Sequence, residues 1–407
     1  MAFVRSVVYL LATACSLGWV SGTRCAEVTA PGPAASAPIP NPTLAPAPGS
    51  PLALSQAFCA NFTLGIQVPR GSQRVVTYNS VPLYQSLEGM QFLKKLGFSH
   101  ICFSYPWNGS NGKSRAGLSF TNVPSTTDRY FTSEVAASRL ANQAGLSVIH
   151  RATDNGSIKG GDFNSNYFAW LSAYGTAMAA SGLNPAMNLF VPCGEIAGDD
   201  NAAVNPTIIR MNQSLRATLP QSGGWLLGVG GAYWQSSQHL SDPTGWRALA
   251  LLPDGATDLQ VAYMCDDYPD ANGGTKVVSQ AAQQKNVRGN EASMASRMRA
   301  FQAHHNATVG GNVPVILHET GDWLGNTGWD INPGNPGAWA YLAQSIAQGA
   351  GQCCVCLWDI DPGDGNYTLL GHGVTELSGL SSAIQSALVD ASNTIKAQSY
   401  FGNGAIR

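Results

Sequence analysis

The sequence predicts an α/β protein of the (β/α)₈ TIM-barrel class. Short apolar runs, eight in number and mostly of about four to seven residues, alternate along the chain with stretches of helical periodicity. Their nearly continuous apolar character is typical of parallel strands that are covered on both faces. Eight strand–helix units in about 350 residues are typical of a closed barrel with long loops. An open, doubly wound sheet is the alternative, but no Gly-x-Gly-x-x-Gly motif follows the first predicted strand.

The predicted elements alternate regularly from the first strand to the C-terminus. The predicted strands are Thr63–Val68, His100–Tyr105, Ser147–His150, Asn188–Pro192, Trp225–Gly231, Leu259–Met264, Val313–His318 and Cys353–Trp358. The predicted helices are Tyr84–Leu96, Thr132–Ala144, Tyr167–Ser181, Pro206–Leu219, Asn290–His305, Ala338–Gln348 and Leu377–Ala397, with a less distinct one within Asp242–Leu252. Gly97 and Gly145 follow the first two helices, at the position where glycine commonly ends a helix.

The N-terminal part of the chain differs in composition from the rest. Residues 1–26 contain an arginine followed by an apolar run, which is typical of a secretory signal peptide and is too short and interrupted for a membrane span. Residues 27–54 are rich in alanine and proline, which predicts an extended linker. Residues 55–407 then form one domain. We therefore expect a secreted protein, extracellular or periplasmic, with a lipoprotein cut at Cys15 as the alternative.

Charge and cysteine spacing argue against several classes of function. The chain has 22 Lys and Arg against 24 Asp and Glu, a net charge of −2, and only 11% charged residues. This balance gives no attraction to nucleic acid or to an anionic membrane, and it suits a neutral ligand. Cys353 and Cys356 form a Cys-x-x-Cys on a predicted strand, where they point to opposite faces and cannot share a metal. No other spacing indicates a zinc site, so we expect no metal and no cofactor.

Two glutamates lie just after predicted strands. Glu195 comes after the fourth strand and Glu319 after the seventh. In a barrel of this class the reactive groups lie where strands end, and strands four and seven are on opposite sides of the rim. We therefore expect the two carboxylates to face each other across the mouth. Most other glutamates of the domain lie on helical patterns and are expected on solvated faces; they are Glu88, Glu134 and Glu291.

A facing pair of carboxyl groups is the arrangement that glycoside hydrolysis needs. One carboxyl group donates a proton to the leaving oxygen, and the other attacks or stabilises the anomeric carbon. In a retaining enzyme the two groups lie about 5–5.5 Å apart. The alternative is structural, because each glutamate could instead cap a helix or pair with an arginine.

From about Ser147 to His372 the sequence resembles glycoside hydrolase family 5, the cellulase-like branch of the clan A barrels. The segment Val-Pro-Val-Ile-Leu-His-Glu-Thr-Gly at 313–321 is similar to the nucleophile motif of that family. The segment Leu-Phe-Val-Pro-Cys-Gly-Glu at 189–195 occupies the acid/base position. The resemblance implies that Glu319 is the nucleophile and that Glu195 is the acid/base.

The sequence departs from the family pattern at three positions. The family has Asn before the acid/base, where this chain has Gly194. The second predicted strand lacks the arginine that steadies the nucleophile in the family. Asp266 stands nearest to the place of the family's histidine on strand six.

The resemblance also assigns two aromatic residues to the site. Trp358, at the end of the eighth predicted strand, corresponds to the family's tryptophan at the floor of the cleavage subsite, where an indole face packs against a pyranose ring. Tyr268 lies in the region of the family's His-x-Tyr motif and is expected to hydrogen-bond the nucleophile. Packing in the core is the alternative for Trp358.

Further residues beyond the strand exits are candidates for substrate binding. Trp107, Trp234 and Trp323 follow the second, fifth and seventh predicted strands, and they could form the walls of a cleft for an extended glycan. Asp154 and Asn155 follow the third strand and could hydrogen-bond substrate hydroxyls. Packing for the tryptophans and a solvated turn for the polar pair are the alternatives.

Taken with the resemblance, the sequence predicts a retaining endo-β-glycanase with a polysaccharide substrate, most simply β-1,4-glucan. The expected enzyme is a monomer and uses no cofactor. A catalytically weak or inactive sugar-binding barrel and a β-mannanase are the alternatives.

Overall fold

Eight parallel strands form a closed barrel in the computed structural model of the chain. The structure describes residues 49–60, 62–69, 75–107, 129–153, 155–158, 161, 163–197, 201–230, 250–266, 300, 307, 313–320, 353–357 and 375–398. The barrel strands are β1 (Leu64–Pro69), β2 (Phe98–Trp107), β3 (Ser147–Thr153), β4 (Asn188–Val191), β5 (Leu226–Val229), β6 (Val261–Asp266), β7 (Val315–Thr320) and β8 (Cys353–Leu357). Each of them overlaps one predicted strand.

The ring closes in the order of the sequence. Every barrel strand pairs in parallel with the next strand along the chain, and β8 pairs with β1 through Leu64 and Val355. Because all strands run the same way, their carboxyl ends meet at one rim, which we call the mouth. The predicted TIM-barrel class is confirmed.

Helices cover the outside and the base of the barrel. They are α1 (Pro51–Ala60), α2 (Leu87–Lys95), α3 (Arg129–Gln143), α4 (Ser165–Ala179), α5 (Asn201–Arg216) and α6 (Ser382–Gln398). The five helices from α2 onwards agree with predicted helices, although α6 starts later than predicted because Leu377–Gly379 forms a separate 3-10 turn. The predicted helices Asn290–His305, Ala338–Gln348 and Asp242–Leu252 lie outside the described residues except at position 300 and at positions 250–252, which are not helical because Leu251 forms a β-bridge with Thr257.

Local sequence explains where the first outer helix begins and ends. The Ser86 side chain accepts a hydrogen bond from the Gly89 amide and so caps the first turn of α2. Gly97 follows the helix with a φ of 95°, a left-handed conformation that glycine adopts without strain. The predicted glycine stop after this helix is confirmed.

The barrel interior is apolar in its middle and closed at the base. Inward side chains include Ile149, Leu226 and Ile316, which belong to one buried cluster with Phe58 of α1 and with Phe62. Helix α1 therefore packs under the barrel. The folded domain begins by residue 51, so the predicted linker, 27–54, extends a few residues too far.

One expectation about the helices is wrong. Glu134 of α3 was expected on a solvated face, but it is completely buried. Its carboxylate lies 2.7 Å from Nδ1 of His150 on β3 and accepts a hydrogen bond from the hydroxyl group of Tyr174 on α4. Helical spacing shows which residues share a helix face, but it does not show that this face packs against a polar residue, here His150 of β3. Glu88 of α2 is exposed, as expected.

The described helices include none whose length and apolar character would let it cross a membrane.

Candidate active site at the barrel mouth

Glu319 lies at the mouth, next to the last residue of β7. The pairing of β7 with both neighbouring strands is irregular here, since the register shifts before Asp266 pairs with Glu319 and again between Leu317 and Thr320. Such irregularities re-aim side chains at the rims of barrels. The residue is 3% exposed, so its carboxylate is largely shielded from bulk water.

An arginine from the opposite strand supplies the counter-charge. Arg151 lies on β3, four strands away from β7 around the ring, and its Nη1 donates a hydrogen bond to the Glu319 carboxylate. The same nitrogen lies 3.4 Å from Oε1 of Gln67 on β1. Arg151 is 1% exposed. A buried guanidinium is costly unless it is paired, so the pair with Glu319 accounts for its position inside the barrel.

Arg151 was not among the predicted site residues. The arginine that family 5 has on strand two is absent here, but Arg151 brings a positive charge to Glu319 from strand three. Its position carried one local signal, because Arg151 directly follows the third predicted strand, Ser147–His150, although nothing in the sequence indicates its partner.

Gly194, the residue before Glu195, lies directly against Arg151. A side chain at this position would overlap Nε, Cζ and Nη2 of the Arg151 guanidinium. The glycine that departs from the family pattern therefore has a steric explanation. The arginine fills the space that a side chain at position 194 would occupy.

The backbone of Glu195 lies at the same rim. Residues Glu195–Ala197 form a short parallel pair with Asn155–Ser157, in which Glu195 is directly opposite Asn155. Two predicted site residues are thus neighbours. Their side chains lie outside the described part of the chain, so the separation of the two carboxylates stays a prediction. The described geometry does bring both predicted segments to one guanidinium, with Gly194 on one side and Glu319 on the other.

A buried histidine lies beside the nucleophile candidate. Nε2 of His318 is 3.3 Å from the Cys102 sulfur, and its Nδ1 is 3.6 Å from a carboxylate oxygen of Asp266. Its backbone carbonyl accepts a hydrogen bond of 2.9 Å from Gln67. Burial lowers the pKa of His318 well below its usual range, and the nearby charge of Arg151 lowers it further. His318 is therefore neutral.

Asp266, His318 and Glu319 are close enough to be considered as metal ligands. One ligand atom of each lies within 4.8 Å of the others. However, the Arg151 guanidinium already contacts Glu319 and brings the positive charge that a cation would supply. The cluster fits a carboxylate–guanidinium pair better than a metal centre.

The remaining predicted site residues are placed only in part. Trp107 ends β2 and pairs in register with Thr153 of β3, so its backbone is at the mouth, while its side chain is outside the described part. The other predicted residues lie outside the described residues, and their roles stay predictions; they are Trp358, Tyr268, Trp234, Trp323 and Asp154.

Comparison with known proteins supports the architecture. Neither family models nor curated proteins match the sequence. Among solved structures, ZgEngAGH5_4 in complex with a cellotriose is 15% identical with a TM-score of 0.55, over 82% of this chain and 98% of that chain. Cel5A of Thermotoga maritima in complex with cellobiose is 13% identical with a TM-score of 0.53, over 82% of this chain and 99% of that chain.

A third similar structure belongs to a longer protein. A tri-modular family 5 (subfamily 4) endo-β-1,4-glucanase from Bacillus licheniformis, complexed with cellotetraose, is 12% identical with a TM-score of 0.55. The match covers 85% of this chain and 61% of that chain. At these identities the similarity establishes the fold, and it is the fold that the resemblance to family 5 implied.

Proposed function

We propose that the protein is a retaining endo-β-glycanase that hydrolyses β-1,4-linked glucan with two glutamates. One observation carries this proposal. Glu319 lies shielded at the mouth of the barrel and is paired there with Arg151, whose guanidinium also lies against the residue preceding Glu195. A catalytic pair needs both carboxyl groups at one rim, and the described backbone brings both segments to it.

The proposed reaction follows the double-displacement scheme. Glu319 attacks the anomeric carbon and forms a glycosyl-enzyme intermediate, while Glu195 protonates the departing oxygen. Glu195 then takes a proton from the water that releases the sugar, which returns Glu319 to its carboxylate form. Arg151 keeps Glu319 in place and balances its charge before attack and after release. No cofactor takes part.

The proposed substrate class rests on the neighbours and on the predicted aromatic residues. The similar structures hold a cellotriose, a cellobiose and a cellotetraose. We propose that Trp358 forms the floor of the cleavage subsite, that Tyr268 hydrogen-bonds Glu319, and that Trp107, Trp234 and Trp323 line an open cleft. Asp154 and Asn155 would bind sugar hydroxyls.

The proposal extends to the setting of the enzyme. A barrel that degrades a polymer must reach it, and the predicted signal peptide in residues 1–26 and linker in residues 27–54 would deliver and space the domain outside the cytoplasm. We propose that it acts there as a monomer. Detection of the protein in the culture medium or periplasm, without residues 1–26, tests this part.

The main experiment replaces each glutamate by glutamine and measures the release of reducing ends. Glu319→Gln should lower turnover by at least about 10⁴-fold, because a neutral amide is no nucleophile. Glu195→Gln should lower it by about 10²–10⁴-fold, the usual contribution of a general acid. Glu88→Gln, on the exposed face of α2, is the matched control and should keep wild-type turnover. Proton NMR of the first product formed should show retention of the anomeric configuration.

The choice of substrates separates the alternatives. Soluble cellulose, mannan and xylan are tested together, with a binding measurement for each. Release from mannan alone would replace the glucanase assignment by a β-mannanase. Binding without release, which the absence of the family's asparagine at Gly194 could produce, would make the protein a sugar-binding barrel. Unchanged turnover in Glu319→Gln would end the two-glutamate mechanism.

A further inference from the structure

We propose that Arg151 is the positioning residue of Glu319 and that Gly194 is coupled to it, so that the two positions act as one unit. This inference rests on the proposed function, since it assigns a role within the same site. It adds a residue from strand three to the catalytic machinery. It also explains why the position before Glu195 carries no side chain.

The first observation is that Arg151 reaches Glu319 but is closed off from bulk solvent. Its side chain crosses the barrel from β3 to the carboxylate on β7, and only 1% of the residue is exposed. A side chain with so little exposed surface interacts with neighbouring side chains and not directly with a substrate in the cleft. Arg151 therefore works through Glu319, by fixing its orientation and by stabilising its negative charge.

The second observation is the set of polar groups around the guanidinium. Gln67 lies on β1, and the Asp266 carboxyl group and the His318 imidazole lie on β6 and β7 beside Glu319. His318 is neutral because burial and the charge of Arg151 both lower its pKa. Within the described part of the mouth, Arg151 is thus the cation that the Glu319 carboxylate meets.

The third observation is what distinguishes Gly194 from another buried glycine of the barrel. A Cβ atom at Gly228 would meet the apolar side chains of Val191 and Leu189, at 2.6 and 2.9 Å. A Cβ atom at Gly194 would meet the Arg151 guanidinium with all three of its nearest contacts. Any side chain at position 194 must therefore displace the group that holds Glu319.

These observations predict that changes at positions 194 and 151 are not additive. In the wild-type background, Gly194→Ala pushes the guanidinium away from Glu319 and should lower kcat. In an Arg151→Met background the guanidinium is already gone, so the added methyl group should cost little more. Residues that share one partner show this kind of coupling.

The kinetic experiment is a double-mutant cycle on the glucan that the wild type hydrolyses. Arg151→Met should lower kcat by about 10²–10³-fold, the usual effect of losing one preorganised electrostatic partner, with KM changed less than about threefold. Arg151→Lys should recover part of the loss, because it restores the charge without the fork geometry. Gly194→Ala should lower kcat by about tenfold or more alone and by less than about twofold in the Arg151→Met background.

Two control variants account for nonspecific effects. Arg210 lies on the exposed face of α5 over the Phe168 ring, so Arg210→Met removes an arginine that has no contact with Glu319. Gly379 has open space where a Cβ atom would go, so Gly379→Ala adds the same methyl group harmlessly. Both should keep wild-type kcat and KM.

Several outcomes would overturn the inference. A rise in KM with unchanged kcat in Arg151→Met would make the arginine a substrate-binding residue. Additive losses in the cycle would show that Gly194 and Arg151 are independent. Equal loss in Arg151→Lys and Arg151→Met would indicate that the charge has no role.

A second measurement separates this inference from the proposed function. Thermal unfolding of Arg151→Met, Glu319→Gln and the double variant needs no substrate. If the wild type hydrolyses none of the glycans, the proposed function fails. Coupling between Arg151 and Glu319 then still predicts that the Tm change of the double variant differs from the sum of the two single changes. Additive Tm changes would reject the positioning role of Arg151 as well.

Discussion

Two arginine–carboxylate pairs lie at opposite ends of the same barrel, and they are held in different ways. At the base, Nε of Arg216 donates to the Asp258 carboxylate at 2.8 Å. The other nitrogens of Arg216 donate to backbone carbonyl oxygens, which belong to Leu219, Trp225 and Gln260. Asp258 in turn accepts from the Gln221 side chain and from the Gln260 amide. Most partners in this pair are thus backbone groups that the fold itself fixes.

At the mouth, the corresponding bonds run between side chains. Arg151 donates to Glu319 and lies 3.4 Å from the Gln67 amide oxygen, and these residues come from three separate strands. The pair at the base is fixed by backbone carbonyl groups and links residues 216–225 to residues 258–260, whereas the pair at the mouth holds a shielded carboxylate at the rim. An arginine–carboxylate pair thus stabilises the fold at the base, and under the proposed function a second such pair positions the nucleophile at the mouth, the face where barrels of this class carry their active sites.

The largest expected effect at the base is on stability. Arg216→Met leaves the Asp258 carboxylate buried without its cation and removes the donors to three carbonyl groups. The free energy of unfolding should fall by about 3–5 kcal/mol, the usual cost of breaking a buried pair from one side. Denaturant unfolding measures this loss, and turnover per folded molecule should stay at the wild-type value.

The distinction between the two ends is wrong if the Arg216–Asp258 pair at the base also controls turnover. Arg210→Met, which removes an exposed arginine on the same helix, is the control and should lower the free energy of unfolding by no more than about 1 kcal/mol, the size of an exposed cation–π contact. A fall in kcat of Arg216→Met at full folding, similar to that of Arg151→Met, would remove the distinction between the two ends.

The next effect concerns two buried histidines, one at each end. At the base, His100 is stacked on Phe62, and its pKa is lowered to about 3 by burial and by Lys94, against a smaller opposing effect of a backbone hydrogen bond with Phe58. At the mouth, burial and Arg151 lower the pKa of His318 well below its usual range. Both imidazoles are neutral in the folded state and become protonated near pH 6.5 on unfolding.

These shifts make the protein sensitive to acid. A group whose pKa is lowered by folding binds its proton more readily in the unfolded chain, so stability falls as pH drops below about 6.5. Each histidine should contribute about 1.4 kcal/mol per pH unit to this slope until the folded group is protonated. Denaturant unfolding between pH 6.5 and pH 4 measures it, and His318→Gln should remove the contribution of the mouth. An unchanged slope in that variant would contradict the assignment of a neutral His318.

The sequence predicts the scaffold well and the interior contacts poorly, for a physical reason. Apolar runs and helix-ending glycines are local signals, and they located all eight strands, together with Glu319 at its rim. The contact between Arg151 and Glu319 joins strands on opposite sides of the ring, and nothing local marks it. Gly194 departs from the family pattern in the sequence, but the steric reason lies in the Arg151 guanidinium, which packs against it only in the folded barrel.

The prediction that Glu134 is solvated is wrong for a related reason. Its helical spacing is correct, yet its burial depends on His150 and Tyr174, which come from a different strand and a different helix. A single sequence does not indicate which polar residues on neighbouring elements will meet. Paired buried groups of this kind are therefore found only from the packed structure.

The smallest expected effect comes from a carboxylate that is held without an arginine. Glu376 accepts hydrogen bonds from the amides of Asn79 and Ser80, from the Thr77 hydroxyl and from Ser378. Burial raises the pKa of Glu376, but these hydrogen bonds, chiefly those from Ser378, outweigh it and lower the pKa to about 2. The carboxylate joins the turn at residues 79–80 to the segment that precedes α6.

Glu376→Gln should lower Tm at neutral pH, by less than Arg216→Met does, because the carboxylate is partly solvated and its partners are neutral. A pKa lowered by folding gives stability that is complete above about 4.5 and is lost as pH falls toward 2, so the Tm difference between wild type and variant should shrink over that window. The two histidines affect the wild type and the variant equally, so they cancel in this Tm difference. Calorimetry at pH 7 and pH 3 checks it, with Glu88→Gln as the exposed control. A Tm difference that stays constant between these pH values would show that the Glu376 side chain stabilises the turn without its negative charge. In that case a carboxylate in this barrel would contribute charge-dependent stability only where it is paired with an arginine.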